Sequence, residues 1–267
     1  MQTTVSKLRT GSRLLLGKYT ASNGAEPVSV CWLKANPECD FISEFVLDYI
    51  CFDGKEGMNA NDFESRQYGN SRYDSSNILS FANSGEEMWY QPMHEFDSPP
   101  RTANAYRRNN LTAYESHQGF LYYFADYEIL SIKQTEYSVD DVVAYTVASL
   151  IRLPDTEEII GDKKFPLFNK KGIRPSPTGD LIDYKRMPEF TYGSFMPFWC
   201  RSPGGAPEQK KIFVQTIDRT GSSTHTMPLD GCGFRPVCSM NPETVILRRA
   251  IRFLLNTYGA ISFLYRF

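Results

Sequence analysis

The chain has 267 residues, and its 29 Lys and Arg against 31 Asp and Glu leave a formal net charge of -2, so it lacks the field that draws in nucleic acid or an anionic membrane. Hydrophobic residues make up 41% and aromatics 14%, which excludes a disordered chain and allows one large β-rich core. The six cysteines (Cys31, Cys39, Cys51, Cys200, Cys232, Cys238) form no C-x-x-C pair and have no His at ligand spacing. That excludes the common zinc patterns and predicts free, mostly buried thiols in a reducing compartment, with no metal or other cofactor bound.

Met1 to Leu8 lacks the apolar stretch of a secretory signal, so synthesis in a cytosol without Sec export is expected. Arg13–Tyr19 and Val28–Leu33 read as two strands of a hairpin, since Ser22 to Pro27 between them is rich in turn formers. Phe41 to Phe52 reads as a further strand or strand pair ending at the Asp53-Gly54 turn, and residues 54 to 73 read as a surface loop. Asp74 to Asn83 supplies polar caps before Ile78, Leu79, Phe81 and Ala82 and predicts a short helix whose apolar face continues through Met88-Trp89-Tyr90.

Residues 91 to 118 have no periodicity and predict a long structured loop. In Gly119 to Ile132, the side chains of Leu121, Phe124, Ile129 and Ile132 fall on one side. Asp140 to Arg152 is β-branched and aromatic, hence a strand, and Pro154 to Ile160 is a short helix with acidic residues in its first turn. Residues 161 to 197, with five prolines, read as irregular. Strands then follow at Phe198–Pro203, Ile212–Asp218 and Gly231–Val237, with Arg219 to His225 as a turn. Asn241-Pro-Glu-Thr244 opens an amphipathic helix carrying Arg248, Arg249 and Arg252 and ending near Gly259, before a strand-like run to Phe267. Those arginines and Arg266 keep the tail short of the ~18 apolar residues of a membrane span.

Five blocks stand in a recognisable order: Leu14-Leu-Leu-Gly-Lys-Tyr19, Ile42 to Tyr49, Tyr68-Gly-Asn-Ser-Arg-Tyr-Asp-Ser-Ser-Asn-Ile78, Phe198-Trp-Cys-Arg-Ser-Pro203 and Gly233-Phe-Arg-Pro-Val237. In that order they resemble a family of phage and prophage proteins of Gram-positive bacteria, over about residues 10 to 240. The last two blocks also look like the end of C-type-lectin-like folds of the formylglycine-generating and phage tropism-determinant type. Cys200 departs from the Leu usual in the family, and the tail after Met240 has no counterpart there.

The resemblance implies an α+β, C-type-lectin-like domain of short antiparallel strands, a few short helices and long irregular loops over residues 1 to 240. Residues 241 to 267 would form an assembly tail. It implies a non-enzymatic virion structural protein, at a tail tip, in a fibre or as a head decoration. Such a protein would be made in the bacterial cytoplasm, bind other virion proteins, oligomerise as a trimer and meet a host-surface glycan or protein. It would have no nucleic-acid partner and no membrane span.

The expected ligand-facing surface is Gln209, Lys210, Gln215, Arg219, Ser222, Ser223, Thr224 and His225, short polar side chains on loops that adapt to a partner. Trp199, Arg201, Phe234 and Arg235 are expected to be structural, the two arginines held by loop carbonyls or by carboxylates such as Asp218 or Asp230, because an unpaired buried guanidinium is costly. Ile251, Leu254, Leu255, Phe263 and Phe267 would serve assembly. The alternatives are a copper-dependent oxidase using Cys232 and Cys238, a hydrolase on the same fold, or a free prophage-encoded carbohydrate binder.

Overall fold

The structure, a computed structural model, describes residues 2–21, 26–57, 63–101, 112–171, 173, 175 and 196–247. In the first half of the chain the strands are β1 (Gln2–Thr4), β2 (Arg13–Tyr19), β3 (Val28–Lys34), β4 (Asp40–Ser43) and β5 (Asp48–Cys51), followed by helices α1 (Phe63–Tyr68), α2 (Asn77–Ala82) and α3 (Asp126–Ser131). Next come β6 (Ile132–Lys133), β7 (Thr135–Val139), β8 (Tyr145–Ser149), β9 (Ile151–Arg152) and α4 (Thr156–Ile159). The last part holds β10 (Phe198–Pro203), β11 (Val214–Ile217), β12 (Ser223–Thr226), β13 (Gly231–Phe234), β14 (Val237–Met240) and β15 (Val245–Leu247). The fold is α+β, with most strands in antiparallel sheets and only short helices.

Two sheets carry the architecture. One runs β2-β3-β4-β14-β6, with β9 beside β14, and the other runs β12-β11-β10-β13-β5, in which only β10 and β13 are parallel. Both β4–β5 and β13–β14 pass from one sheet to the other, and the two crossings are bound together: Leu47 N donates to Phe234 O at 2.9 Å and Ser43 N to Pro236 O at 3.0 Å. Here the closing strand expected over 231–237 is broken. Pro236 has no amide to give a ladder, so the chain leaves one sheet at Phe234 and enters the other at Val237.

Arg235 sits at this crossing, 1% exposed, donating from Nε to Ser43 O at 3.1 Å and from Nη1 to Pro175 O. Its guanidinium lies 5.1 Å and 5.6 Å from the Phe198 and Phe168 ring centres. Burial strips water from the charge and lowers Arg235 to about 9, with Glu44 acting against the shift. Gly233 belongs to the same knot: a Cβ there would lie 2.6 Å from Pro197 O and 2.7 Å from Val46, so no larger residue fits between the strands.

The Tyr68–Ile78 block is a second knot, built around the buried Asp53. Asn70 N donates to one Asp53 oxygen at 2.8 Å and Asn77 N to the other at 2.9 Å, while Gly54 N donates to Asn77 Oδ1 at 2.8 Å. Burial pushes the Asp53 carboxyl well above the usual range, against the pull of those two amides, and Asp97 and Glu56 add to the rise. Just above, Phe81 of α2 meets Trp89, Tyr114 and Phe234 edge-on at 5.5, 5.1 and 5.6 Å. Trp199 is fully buried, with Nε1 donating to Ile50 O at 2.8 Å.

The hairpin of β2 and β3, the two strands β4 and β5 and the helices α2 and α4 stand where turn chemistry and apolar runs predict them, with β4 and β5 in different sheets. Elsewhere long-range pairing overrides local pattern. Residues 54 to 73, expected as loop, contain α1 and run into a short 3₁₀ turn at Tyr73–Ser75. Met88, expected on an apolar face, is 84% exposed, although Trp89 is buried. Residues 140 to 144, expected as strand, form the tip of the β7–β8 hairpin.

The turn expected over 219–225 ends at Ser222, since Ser223–Thr226 pairs with β11. The turn itself is closed by Asp218, whose Oδ1 accepts from Thr220 N at 2.8 Å and Ser222 N at 2.9 Å. A helix expected from Asn241 is also corrected, because Val245–Leu247 pairs as a strand with Gln2–Thr4. The expected assembly residues Ile251, Leu254, Leu255, Phe263 and Phe267 lie outside the described residues. Among the described residues no helix is long and apolar enough to cross a membrane, and all six cysteines are free thiols, five of them buried.

Candidate functional site: an acid-lined pocket over Arg201

The site starts from a capping box. Asp155 caps α4, accepting from Glu157 N at 3.0 Å, while Glu158 reaches back to accept from Asp155 N at 2.8 Å. That backward reach sets the Glu158 carboxylate between two arginines: Arg152 Nη1 of β9 at 2.7 Å and Arg201 Nη1 of β10 at 2.9 Å. Arg201 Nη2 stands 3.5 Å from Asp155 Oδ2, which also accepts from Ser202 Oγ at 2.8 Å. Arg201 therefore takes Asp155, Glu158 and the Leu153 carbonyl as partners, in place of the expected Asp218 or Asp230.

Asp40 joins from the opposite side, 3.9 Å from Arg152 Nη2 and hydrogen-bonded by Ser239. It is held there by the Asn36–Asp40 turn, where Asp40 N donates to Asn36 Oδ1 at 2.9 Å and Cys39 takes the left-handed φ of 74°. The Tyr137 ring supports both guanidinium groups, 5.1 Å from Arg201 and 5.7 Å from Arg152. Burial alone would raise the Glu158 carboxyl, but the charges of Arg152 and Arg201 and the bonds it accepts outweigh that and hold it at about 2.

Above this layer opens a pocket of about 570 Å³. Val139, Ala144, Phe165 and Pro166 give it apolar walls; Glu38, Asp140 and Glu157 are exposed carboxylates at its rim, where Lys163 is a cation of the lining and Lys210 reaches Asp140 from outside it. Arg201 contributes to the lining, is 6% exposed, and its Nε has no hydrogen-bond partner. Six carboxylates thus face Lys163 and Arg201, with Arg152 just beneath and Lys210 beside Asp140.

None of the expected ligand-facing residues lines this pocket; they lie beside it or on the neighbouring hairpin. Lys210 sits 3.8 Å from Asp140 at the pocket rim and its carbonyl accepts from Ser71 at 2.7 Å. Gln215 accepts from the Thr156 hydroxyl at the start of α4, and Gln209 Oε1 accepts from Ala206 N at 3.2 Å. Arg219, Ser222, Ser223, Thr224 and His225 are exposed on the β11–β12 hairpin, where His225 lies 4.6 Å from the Phe213 ring. Glu38, Asp40, Asp140, Asp155, Glu157 and Glu158 were not anticipated as a site. Their one visible signal is Pro154-Asp-Thr-Glu-Glu158, where helix-start chemistry also concentrates carboxylates.

Cys232 and Cys238 occupy different sheets, and burial raises both thiols, as it does Cys200. A thiol held protonated in an apolar site is a poor nucleophile and a poor metal ligand. Among the described residues no group of three or more His, Cys, Asp or Glu is placed to hold a metal ion. Compared with known proteins, the chain matches no family model, no characterised protein sequence and no solved structure.

Proposed function

We propose that the chain is a non-enzymatic virion component of a phage or prophage of Gram-positive bacteria. In this reading it is a C-type-lectin-like module that presents the face shared by the acid-lined pocket and the β11–β12 hairpin to a host-surface ligand. The observation that supports this reading is a division between scaffold and surface. Trp199, Arg201, Phe234 and Arg235, which sit in the blocks carrying the resemblance, are at most 6% exposed, whereas Ser222 to His225 on the adjoining hairpin are open to solvent. Framework residues spent on holding loops in place, with short polar side chains left outside, suit recognition more than chemistry.

The apolar tail beyond Leu247 would then serve assembly with other virion proteins or with further copies, a trimer in this reading. Because β15 completes β1, a truncation that respects the fold removes residues 248–267 and keeps Val245–Leu247. That truncated chain is expected to stay folded and to lose its oligomer in sizing experiments. The deciding experiment is mass spectrometry of purified particles: finding the polypeptide there supports the virion role, and its absence from particles whose host expresses it overturns that role.

A further inference from the structure

We infer that the segments 93–101 and 112–118 are fastened to the body of the fold by an acid-strengthened clasp, made of the pairs His94–Glu56 and His117–Asp48. Two of the chain's three histidines stand on these segments, and each meets a carboxylate of β5 or of the residues just after it. His94 Nε2 lies 3.3 Å from Glu56 Oε1, and His117 Nδ1 lies 3.3 Å from Asp48 Oδ2. Both nitrogens are enclosed, and neither completes a hydrogen bond. A neutral imidazole therefore leaves each contact unfinished, whereas a protonated one adds its charge and turns the contact into a charge-assisted bond.

The surroundings favour that proton. His117 is faced by Asp48 of β5, by Tyr19 of β2, whose hydroxyl donates to the same Asp48 oxygen, and by Tyr114 of its own segment, 6.4 Å away between ring centres. His94 is faced by Glu56; Glu95 and Asp97 stand beside it on its own segment, and on α1 Arg66 follows Ser65, whose carbonyl accepts from Glu56 N at 3.3 Å. Arg101 is taken up by Glu115, 2.8 Å away, which ties the two segments to each other. The ground beneath is carboxylate-rich: burial raises the Tyr114 hydroxyl, and Cys51, Asp53, Asp97 and Asp48 add to the rise.

Histidine is the side chain whose charge changes near neutral pH, at an ordinary value of about 6.5. Stabilisation by these two pairs is present while the imidazoles carry their protons and is lost as the pH rises and they release them. The other ties are few and insensitive to pH in this range, among them Cys51 N to Thr112 O at 3.1 Å and Gly57 N to Phe96 O at 3.3 Å.

The test is hydrogen exchange of the full chain followed by mass spectrometry at about pH 5.5 and about pH 7.5, corrected for the intrinsic pH dependence of exchange. Peptides covering 93–101 and 112–118 are expected to gain about fivefold in protection at the lower pH, relative to peptides of the β2–β3 hairpin. In His94→Gln/His117→Gln, shown to be folded by circular dichroism, that gain should vanish. Glu56→Gln keeps both imidazoles and leaves Asp48 in place, and it should lose the gain over 93–101 alone; it decides the matter if the double variant does not fold. Three results overturn the inference: equal protection at the two pH values; a gain shared equally by the β2–β3 hairpin, which would make it a property of global stability; or a gain that persists in the folded double variant or, over 93–101, in Glu56→Gln.

Discussion

Two buried polar clusters, about Asp53 and about Arg201, solve the same physical problem in opposite ways. Asp53 is satisfied by backbone amides of the segment that wraps it, so its carboxyl is closed off inside the fold. The Arg152, Glu158, Arg201 and Asp155 cluster is held by side chains from three separate elements, and its upper side faces a pocket. A sealed cluster fixes the path of the chain. An open one pairs buried charges and leaves a surface able to recognise something.

The sharpest way to break this contrast is to remove Glu158. Glu158→Ala leaves Arg152 and Arg201 facing each other across a buried gap, and the expected loss is about 4 kcal/mol by chemical denaturation. Proton linkage tests the same carboxylate without mutation. Its folded-state value of about 2 lies below the ordinary 4.5. Its stabilisation is therefore fully present above the ordinary value and is lost as pH falls through the folded one. The share is about 3 kcal/mol, read as the difference between the acid denaturation profiles of the parent and Glu158→Gln. A parallel pair of profiles would remove the ion cluster from the stability of the fold.

Asp53→Ala probes the sealed cluster. Two amides, from Asn70 and Asn77, lose their acceptor inside the protein, which predicts about 2 kcal/mol of destabilisation. Hydrogen exchange should localise the damage to residues 68–78 and leave the pocket side protected. Exchange that speeds up equally on both sides would show one cooperative network in place of two clusters.

The two clusters also differ in how far the amino-acid sequence announces them. The Asp53 knot spans only residues 53 to 77, and of it the sequence marks the Asp53-Gly54 turn and the helix α2, while the stretch between them reads as a surface loop. The pocket is assembled by register. β14 pairs with β4 on one side and with β9 on the other, which brings Asp40 beside Arg152 although 112 residues separate them in number. No local pattern carries that. Edge strands fail for a related reason: Ser223–Thr226 has no apolar face to betray it, and Val245–Leu247 continues an amphipathic helical pattern until β1 claims it.

The smallest expected effect is the most informative about which residues are surface and which are scaffold. In Glu38→Gln/Asp140→Asn/Glu157→Gln, three carboxylates are neutralised at the rim while Asp155 and Glu158 beneath them keep their arginines. Exposed charges of this kind contribute little to folding, so the thermal stability should move by no more than about 0.5 kcal/mol. If stability instead falls by the amount expected for Glu158→Ala, the rim is part of the buried ion network. Recognition would then be left to the β11–β12 hairpin, whose exposed Ser222, Thr224 and His225 could be replaced without touching Arg201.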